Sequence, residues 1–92
     1  MQKTITRLFE PGKLVVTHSL EENTARLMPY LRRHLNGDWG DLNEEDKNEN
    51  DLAVKAGDLR IFSAYETDIV GKIWIITEAD RSATTVLLPS DY

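Results

Sequence analysis

Seven carboxylates crowd residues 38–51 of the stretch HLNGDWGDLNEEDKNENDL, with Lys47 as their single cation. Such a cluster could ligate a metal, imitate the phosphates of a nucleic acid, or solvate the outer face of a helix. For metal ligation, His34, Asp38 and Asp41 would share one face of a continuous helix, but Gly37 and Gly40 interrupt it. There is no HExxH pair, no second histidine nearby and no alternating calcium loop. No metal and no cofactor is therefore expected. For phosphate imitation the relevant set is Asp38, Asp41, Glu44, Glu45, Asp46, Glu49 and Asp51. Carboxylates three or four residues apart on a helix stand about 5–6 Å from one another, close to the phosphate step along a strand. The plainer alternative is a wet helix face whose first-turn acids meet the positive end of the helix dipole.

Other chemistry is thinly represented. Ser19, Ser63, Ser82 and Ser90 lie in no G-x-S-x-G elbow, and spacing ties neither histidine to any of them. No glycine-rich phosphate loop is present, and a chain this short offers little concavity for a pair of opposed catalytic carboxylates. Arg32, Arg33 and His34, with Lys3 and Arg7 near, could form a basic patch for RNA or an acidic protein surface, against the alternative of an ordinary solvated helix face. Asp80 and Arg81 fall at a turn tip, where they could bind a partner or pair internally. Trp39 is either an apolar anchor for a tight corner or an interface hot spot.

The 92 residues suffice for one domain with one core. With no cysteine there is no disulfide framework, thiolate metal site or cysteine nucleophile. The beginning of the chain lacks the apolar run of a signal peptide, and no stretch approaches the roughly 20 apolar residues of a membrane span. A soluble, cytoplasmic protein is expected. The net charge of −5 is uneven: residues 1–37 carry +3, residues 38–51 carry −6 and residues 52–92 carry −2. That distribution suits nonspecific duplex binding poorly. It suits a protein partner with charged patches of its own.

These groups must be positioned by a small set of elements. Pro11-Gly12 introduces a strand over Lys13–Leu20. Ser19-x-x-Glu22 matches a capping box, and Pro29 splits the region after it into a short helix or turn over 20–27 and a helix from Pro29 to Leu35 or Asn36. Met28, Leu31 and Leu35 give that helix its apolar face. Gly37 ends it, and Asp41-x-x-Glu44 opens another running from Leu42 or Asn43 to Ala56, with Gly57 beyond its end. The apolar positions there are Leu42, Leu52, Ala53 and Ala56. DLRIFSAYE alternates with period two and sets Leu59, Ile61, Ser63 and Tyr65 opposite Arg60, Phe62 and Ala64. KIWIITE reads as a central strand and SATTVLLP as the last, joined through TDIVGK and EADRS. The expected fold is a single α+β domain of order β-α-α-β-β-β, with a mainly antiparallel sheet and the helices packed on one face.

The same order of elements occurs in small ribonuclease toxins of the RelE/ParE type, for which Arg60, Tyr65, Lys72 and Arg81 would be the candidate groups. The acidity of the chain weighs against a polyanion substrate, and order alone does not imply function.

The segments GDWGDLNEEDKNENDLAV and KIWIITEADRSATTVLLPSDY resemble short "plasmid-related" proteins of proteobacterial plasmids, integrative elements and prophages. The resemblance runs from about Tyr30 to Tyr92 and rests on the RH-x-x-GDWGD and WIITEADRS-x-TT-x-LLP motifs; the ETDIVGK loop departs from the shorter turn usual in that family. The family carries no established activity; the resemblance implies a setting, mobile DNA, where small non-enzymatic proteins often disarm host defences, and the function expected from that setting is a non-catalytic protein that binds a host defence complex of the CRISPR surveillance or restriction type. Arg32 and Arg33 would meet guide RNA or an acidic rim; Asp38, Trp39, Asp41, Glu44, Glu45, Asp46, Glu49, Asp80 and Arg81 complete the expected partner-binding set. The alternatives are a ribonuclease toxin or an accessory protein for maintenance of the element.

Overall fold

The computed structural model describes residues 7–92. Strand β1 (Lys13–Val16) leads through a 3-10 segment (His18–Asn23) into helix α1 (Thr24–Leu35). Helix α2 (Glu44–Ala56) follows, and then β2 (Ile61–Thr67), β3 (Gly71–Thr77) and β4 (Ala83–Leu87). The sheet order is β1-β4-β3-β2. Its three later strands form the expected antiparallel meander, whereas β1 runs parallel to β4 and makes the sheet mixed. Nothing local encodes that pairing, because it joins residues some seventy positions apart.

Period-two alternation directs Ile61, Ser63 and Tyr65 of β2 to the helix side, as their alternation implies, together with Ile73, Ile75 and Thr77 of β3 and Thr84 and Val86 of β4. Leu20 and Leu27 pack on Tyr65, Ile73, Ile75 and Val86. A second cluster joins Phe9, Trp39, Ala53 and Ile61, with α2 contributing Ala53.

Several local expectations shift. Pro29 lies inside α1 instead of starting it. It forfeits one helical hydrogen bond, which the burial of Leu27 and His34 on the same helix offsets. Ser19 forms no capping box; its hydroxyl donates to Asp91 Oδ2 at 2.7 Å, tying the start of the 3-10 segment to the far end of the chain. Asn43, not Asp41, caps α2, its Oδ1 accepting from the Asp46 amide at 2.8 Å. Gly57 ends α2 in the left-handed conformation, as expected. Leu52 and Ala56, expected on the apolar face of α2, are exposed, and Asn50 takes an inner position in their place.

Candidate functional site

The acidic stretch separates into two parts with different environments. The first builds the corner between the helices and lays it along the free side of β2. Gly40 has φ +76°, and a Cβ there would collide with the carbonyl oxygen of Ala64, so only glycine lets the backbone approach this closely. The Asp41 amide donates to Ala64 O at 2.7 Å, and the Ala64 amide donates to Trp39 O at 3.3 Å. Asp41 Oδ2 accepts from the Glu66 amide at 3.0 Å. One turn along α2, the Asn50 side chain accepts from the Phe62 amide at 3.1 Å and donates to Phe62 O at 2.6 Å. The outward amides of β2 at Phe62, Ala64 and Glu66 all have partners.

Asp38 and Trp39 hold this corner. The Asp38 carboxylate accepts from Arg33 Nε at 2.7 Å and from the Gly40 amide at 3.2 Å, and its carbonyl accepts from the Tyr65 hydroxyl at 2.5 Å. The Arg33 guanidinium holds the Asp38 carboxyl below the usual carboxylate range, and the same pairing raises Arg33. Arg33 also lies over the Tyr65 ring, 4.7 Å from its centroid. Trp39 is 4% exposed, stacked on Phe9 and edge-on to His34, and its indole N–H donates to Asp51 Oδ1 at 3.1 Å. Of the residues expected to bind a partner, Trp39 is buried, whereas Arg33, Asp38 and Asp41 make these intramolecular contacts while remaining exposed.

His34 is also part of the interior. Its Nδ1 is 2.5 Å from Ser63 Oγ and its Nε2 is 2.9 Å from Thr77 Oγ1. Thr77 Oγ1 is 2.7 Å from Thr84 Oγ1, which donates to the Pro11 carbonyl at 2.7 Å. A carbonyl can only accept, so Thr84 spends its proton on Pro11. Thr77 must then donate to Thr84, and the Nε2–H of His34 to Thr77. The chain of donors thus places a proton on Nε2, and burial, by disfavouring the charged ring, leaves Nδ1 as the acceptor from Ser63. Burial lowers the His34 pKa to about 3. His34 consequently joins neither a basic patch nor Asp38 and Asp41. Among the described residues no group of three or more His, Asp or Glu side chains is placed to hold a metal ion.

Asp80 and Arg81 are likewise occupied. Arg81, at φ +61°, donates to the carbonyls of Ala53, Leu59, Glu78 and Ala79, so one guanidinium binds the last turn of α2 to the β3–β4 hairpin. Asp80 Oδ1 accepts from the Ser82 amide at 2.9 Å. Both help to build the turn, so of the two roles considered for them the internal pairing is present. The four residues considered for ribonuclease chemistry do not converge: Tyr65 is buried on the helix side, Arg81 is bound to carbonyls, and Lys72 lies on the opposite sheet face from Tyr65. Arg7 pairs with Glu10 at 3.1 Å; Lys3, placed with it at the edge of the basic patch, lies outside the described residues.

The second part of the acidic stretch faces water. Glu44, Glu45, Asp46 and Glu49 are exposed on α2, and none enters an ion pair among the described residues. Arg32 is exposed on α1. Beside Glu49 the surface is recessed. A hollow of about 280 Å³ is lined by Leu42, Asp46, Glu49, Asn50, Arg60 and Phe62. Sequence reasoning missed Phe62, Trp74 and Tyr92 as surface groups; the alternation of β2 and β3, continued across the sheet, places Phe62 and Trp74 together on the face away from the helices.

Fold and surface define an α+β domain with helices on one face of a mixed four-stranded sheet and an acidic helix flank. Comparisons with family models, curated proteins and solved structures return no match. No helix among the described residues is long and apolar enough to cross a membrane.

Proposed function

We propose that the chain is a non-catalytic protein of a mobile genetic element that binds a host nucleic-acid-processing defence complex, of the CRISPR surveillance or restriction type, and occludes its nucleic-acid site. The observation that carries this reading is the division of labour within the acidic stretch: Asp38, Asp41 and Asp51 serve the fold, while Glu44, Glu45, Asp46 and Glu49 stand together on α2 without an intramolecular cation among the described residues. Such a row meets Lys and Arg side chains that otherwise hold phosphate, and complementary potentials steer the encounter. Arg32, on the neighbouring helix, would meet guide RNA or an acidic rim. The protein would act in the cytoplasm, where such complexes work. The mobile-DNA setting comes from the motif resemblance and the mechanism from the exposed carboxylates.

The test is interference against a targeted plasmid in a host with an active defence complex, with and without the chain. The parent protein should relieve interference. Glu44→Gln, Glu45→Gln and Glu49→Gln combined should abolish most of that relief while leaving the protein folded, with only a small drop in melting temperature from the loss of two first-turn carboxylates, because the three side chains are exposed and enter no ion pair among the described residues. Undiminished relief by the triple variant would contradict the acidic-helix mechanism.

A further inference from the structure

We propose that the flank of α2 and the adjoining outer face of β2 and β3 form a docking groove for a protein segment that sets a Lys or Arg beside a large apolar side chain. This deepens the reading above, on which it rests for the idea that the partner is a basic, nucleic-acid-handling protein.

The groove consists of adjoining hollows that meet at Arg60. The hollow beside Asp46 and Glu49 shares Arg60 and Phe62 with one of about 180 Å³ formed by Arg60, Phe62, Trp74, Ile76 and Tyr92. It shares Glu49 and Arg60 with a third, of about 420 Å³, lined by Glu49, Leu52, Leu59 and Arg60. Leu52 and Leu59 are 61% and 50% exposed, an unusual state for two leucines in one recess. Phe62 meets Trp74 edge-on at 5.2 Å, and Trp74 meets Tyr92 likewise at 5.7 Å, so three aromatic rings line the apolar floor in mutual contact.

Charge selects the occupant. Arg60, the one cation of the lining, donates to the Tyr92 hydroxyl at 2.9 Å, whereas Asp46 and Glu49 pair with no cation among the described residues. The rim therefore repels a phosphate backbone and attracts an ammonium or guanidinium, and the apolar floor beside it accepts an aliphatic or aromatic side chain.

The experiment selects a random displayed peptide library on the full chain and titrates an enriched peptide against it, following tryptophan fluorescence. Trp39 is buried and hydrogen-bonded, so Trp74 is the reporter. Enriched peptides should pair Lys or Arg with Leu, Phe or Met and perturb the fluorescence. By calorimetry, Glu49→Lys and Trp74→Ala should each weaken binding about tenfold or more. Glu49 is exposed, so Glu49→Lys should fold as the parent does, which keeps the test decisive if Trp74→Ala does not. Absence of enrichment, peptides without that pattern, or undiminished binding to Glu49→Lys would overturn the proposal. So would quenching of Trp74 by oligothymidylate in place of peptides, which would make the groove a nucleic-acid surface. Relief of interference that survives Glu49→Lys, and Trp74→Ala where that variant folds, would refute the groove and leave the defence-inhibitor reading standing. Peptide binding without relief of interference would do the reverse.

Discussion

The two edges of the sheet are treated in opposite ways. On β2 the outward amides of Phe62, Ala64 and Glu66 are matched by Asn50, Trp39 and Asp41, and a tryptophan seals the corner from the core side. On β1 the alternation set by Lys13 and Thr17, whose amides donate to Ser82 O and Val86 O, points the amides of Leu14 and Val16 away from β4, where no described strand lies beside them. The strand is only four residues long and begins with Lys13, two common ways of blunting an open edge. A long edge is covered with side chains and a short one is left to its charge and brevity. The cost of covering β2 is that much of the conspicuous GDWGD motif becomes structural.

The comparison can be broken most severely at Trp39. Trp39→Ala removes the ring that joins Phe9, His34 and the corner, and should cost about 3–5 kcal/mol in urea denaturation. Asn50→Ala should follow at about 2–3 kcal/mol, since it strips both backbone groups of Phe62 of their partner. Near-neutral behaviour of either variant would mean that the β2 edge tolerates water and needs no cover.

Acid acts next, through His34. Its folded pKa of about 3 lies below the unfolded value of 6.5, so between those values the unfolded chain binds a proton that the folded chain excludes. Stability is therefore full above pH 6.5 and is lost as pH falls toward 3. Between pH 7 and pH 5, above the ordinary carboxylate range, the loss should be about 2 kcal/mol. His34→Gln should flatten that slope whatever its effect on stability at pH 7. A slope unchanged in the variant would assign the acid sensitivity elsewhere. At the open edge the expected effect is the smallest: Leu14→Thr, at a half-exposed position of β1, should stay within about 0.5 kcal/mol.

What the sequence makes legible follows the range of the interactions involved. Gly37 and Gly57 announce the helix ends because left-handed backbone is a local requirement. The alternation of β2 announces its faces because one face is buried. Asp41 misleads by two residues: its spacing to Glu44 imitates a capping box, yet its carboxylate is taken by the Glu66 amide and Asn43 does the capping. Ser19 misleads in the same manner, drawn away by Asp91. Asn50 carries no local sign of its role, since a polar residue on a polar helix gives no hint that a strand edge will arrive beside it. The parallel pairing of β1 with β4 is hidden for the same reason. In the candidate surface, Glu44, Glu45, Asp46 and Glu49 could be singled out from charge alone. That they differ from Asp38, Asp41 and Asp51 emerges only when the sheet is in place.

The central claim, that the acidic corner covers one edge of the sheet while no described residue covers the opposite edge, is tested most directly by amide hydrogen exchange followed residue by residue with NMR. The amides of Phe62 and Ala64 should be strongly protected, with Asn50→Ala releasing Phe62 selectively, and those of Leu14 and Val16 should exchange far faster. Exchange at Phe62 and Ala64 as rapid as at Leu14 would contradict it.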